Sequence, residues 1–390
     1  MKRIRKVVIT CLLAAMLPGV LQATHQDHPT GTPLEQGLWW LYHLQYEKAR
    51  QMFTEYTAAH PHDPSGYFYK TAADWWQLAQ QFDRKLPEVE ARLGRDYQDT
   101  VRVADAILSS DKIKDSESKG KACLYEGGAQ GLKGRWLVTQ RQWIKAYFLG
   151  KNGQKMLKKA LHYDPHLYDA YLGLGIYDYY TDTLPGIQKA LAALLIHGDR
   201  KRGLQELQWA IEKGEHARVE AMMFLIQIYT WEERTPAKAL PYAQALHREF
   251  PKSPAMSLAE IMDYYQLRDW DKVQAEAQDY LERSENEVPY YQREGVYPAW
   301  YCLGMAAFLG KHDADTCLHY MEKIAQNPEE TSRWLTFAYL RMGQVYDLKG
   351  KRKQAMAYYH KVLARPNFWG SQREAFAYLK DPFHFTNYLK

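Results

Sequence analysis

A proline recurs at a fixed distance behind a pair of small and apolar residues, four times along the chain. The runs are Ala49/Phe53/Pro61, Gly153/Leu157/Pro165, Ala239/Ala243/Pro251 and Thr316/Tyr320/Pro328, with the second residue four positions after the first and the proline eight after that. Residues four apart share one face of a helix. Proline then ends the helix, because it lacks an amide hydrogen and clashes with the preceding turn. Each run therefore predicts an amphipathic helix closed by a turn. A unit of this kind repeated along the chain predicts helical hairpins stacked in a row, each burying its face on the next.

The chain has 390 residues, 46% hydrophobic and 25% charged, enough apolar material for a sizeable core. Aromatic residues make up 14%, with 30 Tyr and 12 Trp. Packing between helices accounts for most of that excess, and the remainder is available to line a surface. The first residues have the pattern of a secretory signal. Lys2, Arg3, Arg5 and Lys6 form a basic start, Val7 to Leu17 is apolar, and Leu21-Gln22-Ala23 is a small-residue cleavage site. The apolar run is too short to span a bilayer. Cleavage after Ala23 addresses the rest of the chain to the periplasm or the exterior. Losing those four cations takes the formal charge from +5 to +1, so no overall basicity points to nucleic acid. Cys11 follows Thr10 rather than the small residue a lipoprotein signal wants. Cys123, Cys302 and Cys317 are too few for a disulfide framework, although Cys302 and Cys317 fall on two helices of one hairpin, where a single bridge is open.

Thr24 to Gly37 is polar and broken by Pro and Gly, a flexible leader after the signal at residues 1–23. Residues 38–108 read as N-terminal helical repeats and 109–121 (SSDKIKDSESKGK) as a solvated linker. The solenoid proper is expected over 122–366. Its start is glycine-rich, but Gly128 and Gly134-Arg135 do not satisfy the GxxxxGK[ST] phosphate loop. Gly127, Gly128 and Gly131 instead predict a helix that lets a partner backbone come close. Tyr171-x2-Leu174-Gly175 is followed by Gly203 and Leu207 about sixteen residues later than the period predicts, which places an insertion at 181–198 with a short helix over Ile187–His197. Residues 367–390 are expected to cap the last hairpin.

The last two hairpins carry the fullest motifs. Trp300-x2-Leu303-Gly304 leads to Thr316, Tyr320 and Pro328. Tyr339-x2-Met342-Gly343-x2-Tyr346 leads to Ala355-x3-Tyr359 and Pro366. On these residues the chain resembles the tetratricopeptide repeat family over most of Leu38 to Pro366, and the stretch GDRKRGLQELQWAIEKG, with Leu184-Pro185 upstream, also looks like exported bacterial repeat proteins. The resemblance implies an all-α fold, a right-handed α-solenoid of antiparallel helix pairs, with a concave face that captures peptides or helices of partner proteins.

Catalytic patterns are missing. There is no GxSxG, HExxH or DxDxDG, and the adjacent Glu232 and Glu233 point about 100° apart on a helix, so they cannot flank one bond. His25, His28, His60 and His62 sit in or near the leader, without the rigid frame a metal needs. No enzyme activity, cofactor or metal is expected. First-helix residues not used between helices project to the concave face: Tyr179, Tyr180, Tyr301, Met305, Phe308, Phe337, Leu340 and Gln344. Exposed, they would form an aromatic groove for an amphipathic helix or an apolar peptide; covered by neighbouring hairpins, they would be core. The tyrosine, methionine, leucine and glutamine at these places argue against capture of a C-terminal carboxylate, which needs Lys, Arg and Asn. The expected function is a protein-protein interaction scaffold of the cell envelope. The alternatives are a glycan binder that stacks sugars on a line of Trp39, Trp75, Trp143, Trp231 and Trp300, and an enzyme with a site in the irregular middle.

Overall fold

The structure is a computed structural model and describes residues 29–80, 86–183, 198–286, 296–326 and 332–387. The signal, the start of the leader, most of the insertion at 181–198, and Pro328 lie outside these residues. Among the described residues the regular structure is helical: α1 Pro33–Tyr42, α2 Tyr46–Ala59, α3 Pro64–Gln80, α4 Pro87–Leu108, α5 Ser116–Thr139, α6 Trp143–Tyr163, α7 Ala170–Thr183, α8 Arg200–Lys213, α9 Arg218–Gln227, α10 Pro236–Glu249, α11 Pro254–Leu267, α12 Trp270–Asn286, α13 Val296–Met305, α14 Ala314–Ala325, α15 Arg333–Leu348, α16 Arg352–Leu363 and α17 Ser371–Lys380. Two π-helical turns, Ile228–Glu232 and Ala306–Gly310, extend α9 and α13. Each helix packs chiefly on the helices before and after it in the chain, the contact pattern of an α-solenoid.

Two boundaries differ from those read in the sequence. Helix α1 takes in the last leader residues, because Thr32-Pro33-Leu34-Glu35 makes a capping box with proline at the first helical position. The Thr32 amide donates to Glu35 Oε2 at 2.7 Å. Helix α5 begins inside the expected linker, where Asp115 caps it by accepting from the Ser118 amide at 2.7 Å.

Glycines set the closest helix crossings. A Cβ on Gly127 of α5 would lie 2.9 Å from the Gly153 carbonyl oxygen of α6, and a Cβ on Gly153 would lie 2.9 Å from the Gly127 oxygen. Gly175 of α7 and Gly203 of α8 repeat the arrangement at 2.7 Å. Only residues without a side chain let these backbones meet. Gly128 accommodates the Phe68 ring, whereas a Cβ on Gly131 would meet no neighbour within 4 Å, although the Gly131 amide nitrogen lies 3.4 Å from where a Cβ on Gly153 would stand.

The row of hairpins curls until its N-terminal end meets its middle. Leu38, Tyr42, Tyr69 and Trp76 share one apolar core with Met222, Ile226, Leu246 and Met256. Tyr42 meets Phe250 edge-on at 5.4 Å, and the Ser253 hydroxyl donates to the Tyr42 carbonyl at 2.5 Å. Nearby the Trp76 indole N–H donates to Glu220 Oε1 at 3.1 Å. At the other end α17 lies on α15 and α16. Arg352 donates to the carbonyls of Tyr378 and Leu379 at 2.8 Å each, and Phe383 stacks on Phe308. This segment covers the face that the last hairpin would otherwise expose.

Candidate functional site

The residues expected to line a concave groove are mostly core. Tyr179, Tyr301, Met305, Phe308, Phe337, Leu340 and Gln344 are buried. The physical reason is coverage from within the chain. Tyr301 is surrounded by Tyr265, Trp334 and Phe337, with ring centroids 5.5 to 6.3 Å away. Phe308 lies under Phe383 and Phe385. Gln344 accepts from Arg341 at 2.9 Å, and Leu340 packs with Tyr359 and Val362. Tyr180 alone of the eight is half-buried, and its hydroxyl accepts from Gln227 Nε2 at 2.9 Å.

One pair of large rings escapes this coverage. Trp231 is 40% exposed and Trp369 is 66% exposed. Their planes are 12° apart with centroids at 5.8 Å, and Trp369 also lies parallel to Phe337 at 5.5 Å and 4°. The two indoles arrive from distant elements. Trp231 sits in the π-helical turn that follows α9, and such single wide turns occur often at functional positions. Trp369 precedes α17 with φ +46°, followed by Gly370 at +84°. A left-handed conformation is costly for an indole-bearing residue, and it persists only where the surroundings impose it. Here it holds the indole across Trp231 instead of letting it fold inward. The Arg333 guanidinium lies 5.7 Å from the Trp369 ring, within cation–π range. Glu233 beside Trp231 is bound by Arg200 at 2.6 Å, while Glu232 is exposed. The result is a pair of parallel exposed indoles with the Arg333 cation beside one of them. It can pack an apolar or aromatic side chain.

Sequence reasoning brings Trp231 into view only as one of five tryptophans and misses Trp369. The available signal is Trp369-Gly370 in front of a helix, a bulky residue beside a glycine at a turn. Of the five tryptophans, Trp39 is buried, Trp75 and Trp300 are half-buried, and Trp143 and Trp231 are exposed on separate elements. Two rings on separate elements are not the row of platforms that the glycan reading requires.

Titratable groups gather elsewhere in structural roles. Asp74, fully buried, binds Arg50 at 2.8 Å and Arg92 at 3.2 Å, and Arg50 also reaches Asp96 at 2.9 Å, which ties α2, α3 and α4 together. The Arg135 guanidinium stacks on Trp75 at 3.6 Å, and desolvation lowers its pKa to about 10. Desolvation raises the carboxyls of Glu126, Glu206 and Asp263 to about 7. His247 of α10, Glu260 of α11 and Glu276 of α12 bring ligand atoms within 4.8 Å of one another, a grouping with the donor types of a divalent-cation site that the sequence did not reveal. Within it, His247 Nδ1 and Glu260 Oε2 lie 2.7 Å apart, so the pair already satisfies itself. Cys123, Cys302 and Cys317 are free, buried thiols, so Cys302 and Cys317 form no bridge. Burial pushes those two up to about 12.

The element order and contacts define an all-α protein of stacked helical hairpins. A family model described as "Tetratricopeptide repeat" matches residues 337–367, which hold the second of the two clearest hairpins. Among solved structures the chain is similar to yeast Tom70, at 10% identity over 90% of this chain and 88% of that one, with a TM-score of 0.41. It is also similar to the C-terminal part of a TPR repeat-containing protein from Cytophaga hutchinsonii, at 13% identity over 87% and 98%, TM-score 0.31. A human IFIT1 dimer is similar at 16% identity over 85% and 71%, TM-score 0.29. No curated protein matches the chain. No described helix is long and apolar enough to cross a membrane.

Proposed function

We propose that the chain is an exported, non-catalytic docking scaffold that seats an apolar or aromatic segment of a partner protein on the Trp231–Trp369 pair. The exposed parallel stack carries this reading. Two large rings left in water, one of them held there by a strained backbone, cost the isolated molecule stability. Aromatic anchors supply much of the energy of protein interfaces. The residues first expected to touch the partner take a supporting part: Phe337 backs Trp369, and Tyr301, Met305 and Phe308 pack the wall behind it. Export rests on the basic start, the apolar run at Val7 to Leu17 and the Ala23 cleavage site. The partner is then another protein of the cell envelope.

The test places a photo-crosslinking amino acid at Arg333, beside the pair, in cells. Bands identified by mass spectrometry are compared among the parent, Trp231→Ala and Trp369→Ala. The expected result is one envelope protein crosslinked in the parent and absent from both variants. The same band at undiminished yield in both variants would overturn the reading, as would no envelope partner in the parent.

A further inference from the structure

The stretch from Gly127 to Tyr163 contains no acidic residue and eight basic ones. Most of it is α6, whose two faces are chemically opposite. Ala146, Gly153, Leu157 and Ala160 are buried. On the other side Ile144, Phe148, Lys151, Lys155, Lys158 and Lys159 are exposed, and at 100° per residue they fall on one stripe. The stripe is graded along the helix. Its N-terminal end is apolar, with Ile144 at 76% and Phe148 at 58% exposure, and Trp143 at 51% stands beside them. Its remaining length is lysine. Val138 at the end of α5 is also exposed, and Arg141 and Lys145 flank the corner. Of the carboxylates near this helix, Glu126 and Glu206 are buried, with Gln130 donating to Glu126 at 2.8 Å, and Glu90 lies toward Lys133 on α5.

We propose that the α5–α6 corner is a peripheral membrane-binding surface for anionic phospholipid. Trp143, Ile144 and Phe148 enter the headgroup–acyl boundary, and the lysine stripe lies against the headgroup phosphates. Aromatic and aliphatic side chains beside lysines, on a helix too polar to insert, are the makings of an interfacial anchor. Charge complementarity selects the occupant. A nucleic acid would use the lysines but has no use for an exposed Ile144 and Phe148. A second protein would use the apolar tip but needs carboxylates to meet a stripe of four lysines.

Flotation of the purified full chain with vesicles tests this. Vesicles of phosphatidylglycerol mixed with phosphatidylcholine are compared with vesicles of phosphatidylcholine alone. Binding is expected on the mixed vesicles, and it should fall about fivefold for each lysine removed from the stripe. Lys151→Glu/Lys155→Glu should therefore lower binding by at least about 25-fold. I144S/F148S should lower it by about tenfold or more at unchanged net charge. Both pairs are at the surface, and circular dichroism with analytical ultracentrifugation checks that fold and oligomeric state are kept. Brominated lipid should quench the fluorescence of the parent more than that of Trp143→Phe. Phe376→Ser, exposed elsewhere, should leave vesicle binding unchanged. Absence of flotation with anionic vesicles overturns the proposal. So does binding that survives I144S/F148S, or a capture of DNA that depends on the lysines but not on Ile144 and Phe148. A parent oligomer that I144S/F148S dissociates, with no change in vesicle binding, makes the corner a self-association surface and overturns it too.

Discussion

Gly127 and Gly153 face each other where α5 crosses α6, each leaving the other's carbonyl oxygen 2.9 Å from where a Cβ would stand. The contact is reciprocal, backbone against backbone, and Gly175 with Gly203 repeats it two helices later. The glycines therefore serve the repeat as spacing devices. They set how near the second helix comes to the first at these two crossings.

Gly127→Ala and Gly153→Ala should each destabilise the fold by about 2–3 kcal/mol, because the new methyl meets backbone that cannot swing aside. Gly131→Ala is the matched control. It stands in the same helix, a Cβ there meets nothing within 4 Å, and the change should stabilise by up to about 1 kcal/mol through helix propensity alone. Urea unfolding of the three variants checks the sign in each case.

Much of the helical row was legible because its signals are local. Proline at a fixed distance, Leu-Gly pairs and aromatic residues at helical spacing are properties of neighbouring residues. The groove was not legible, because exposure depends on which hairpin lies opposite. Nothing near Tyr42 in sequence announces Phe250 and Ser253, and nothing near Phe308 announces Phe383. Tyr301 and Met305, projected onto a first-helix face, are both buried. The Trp231–Trp369 stack was hidden for the same reason. Each ring is ordinary in its own segment, and the site exists only where the segments meet.

The closure of the N-terminal hairpins on the middle depends on a buried polar contact. Trp76→Phe keeps an aromatic ring but removes the indole N–H, which leaves the Glu220 carboxyl, raised by desolvation, without its donor. A loss of about 1–3 kcal/mol is expected. Adding Glu220→Leu should recover part of it, since an apolar side chain there leaves no polar group unmatched. Equal destabilisation in the single and double variants, measured by urea midpoint, would show that ring packing and not the hydrogen bond carries the contact.

The C-terminal segment should contribute to stability as a core element. Phe383 is fully buried against Phe308, and its amide donates to Asp347 Oδ2 at 2.9 Å. Phe383→Ala should cost about 3–5 kcal/mol, the usual range for a buried ring. Limited proteolysis of the variant should cut first between α16 and α17, because the cap that covers Phe308 and Tyr359 is then loosened.

Stability should also depend on pH in a stated direction. Glu126, Glu206 and Asp263 are raised to about 7 in the folded chain by desolvation, above their ordinary 4.5, 4.5 and 3.8. The folded state thus holds these protons more tightly than the unfolded one. Their contribution is complete below the unfolded values and is lost as pH rises through about 7. Glu35, Asp199 and Asp313 are shifted the other way by backbone hydrogen bonds at helix starts, so their contribution is lost as pH falls through their lowered values. Thermal midpoints should therefore peak near about pH 5 and fall toward about pH 8. Glu126→Gln removes one of the groups that must be desolvated as an anion, and its carbonyl can still accept from Gln130. It should raise stability at about pH 8 by roughly 1–2 kcal/mol and do little at about pH 5. Parallel midpoints for parent and variant across that range would show that Glu126 does not titrate there.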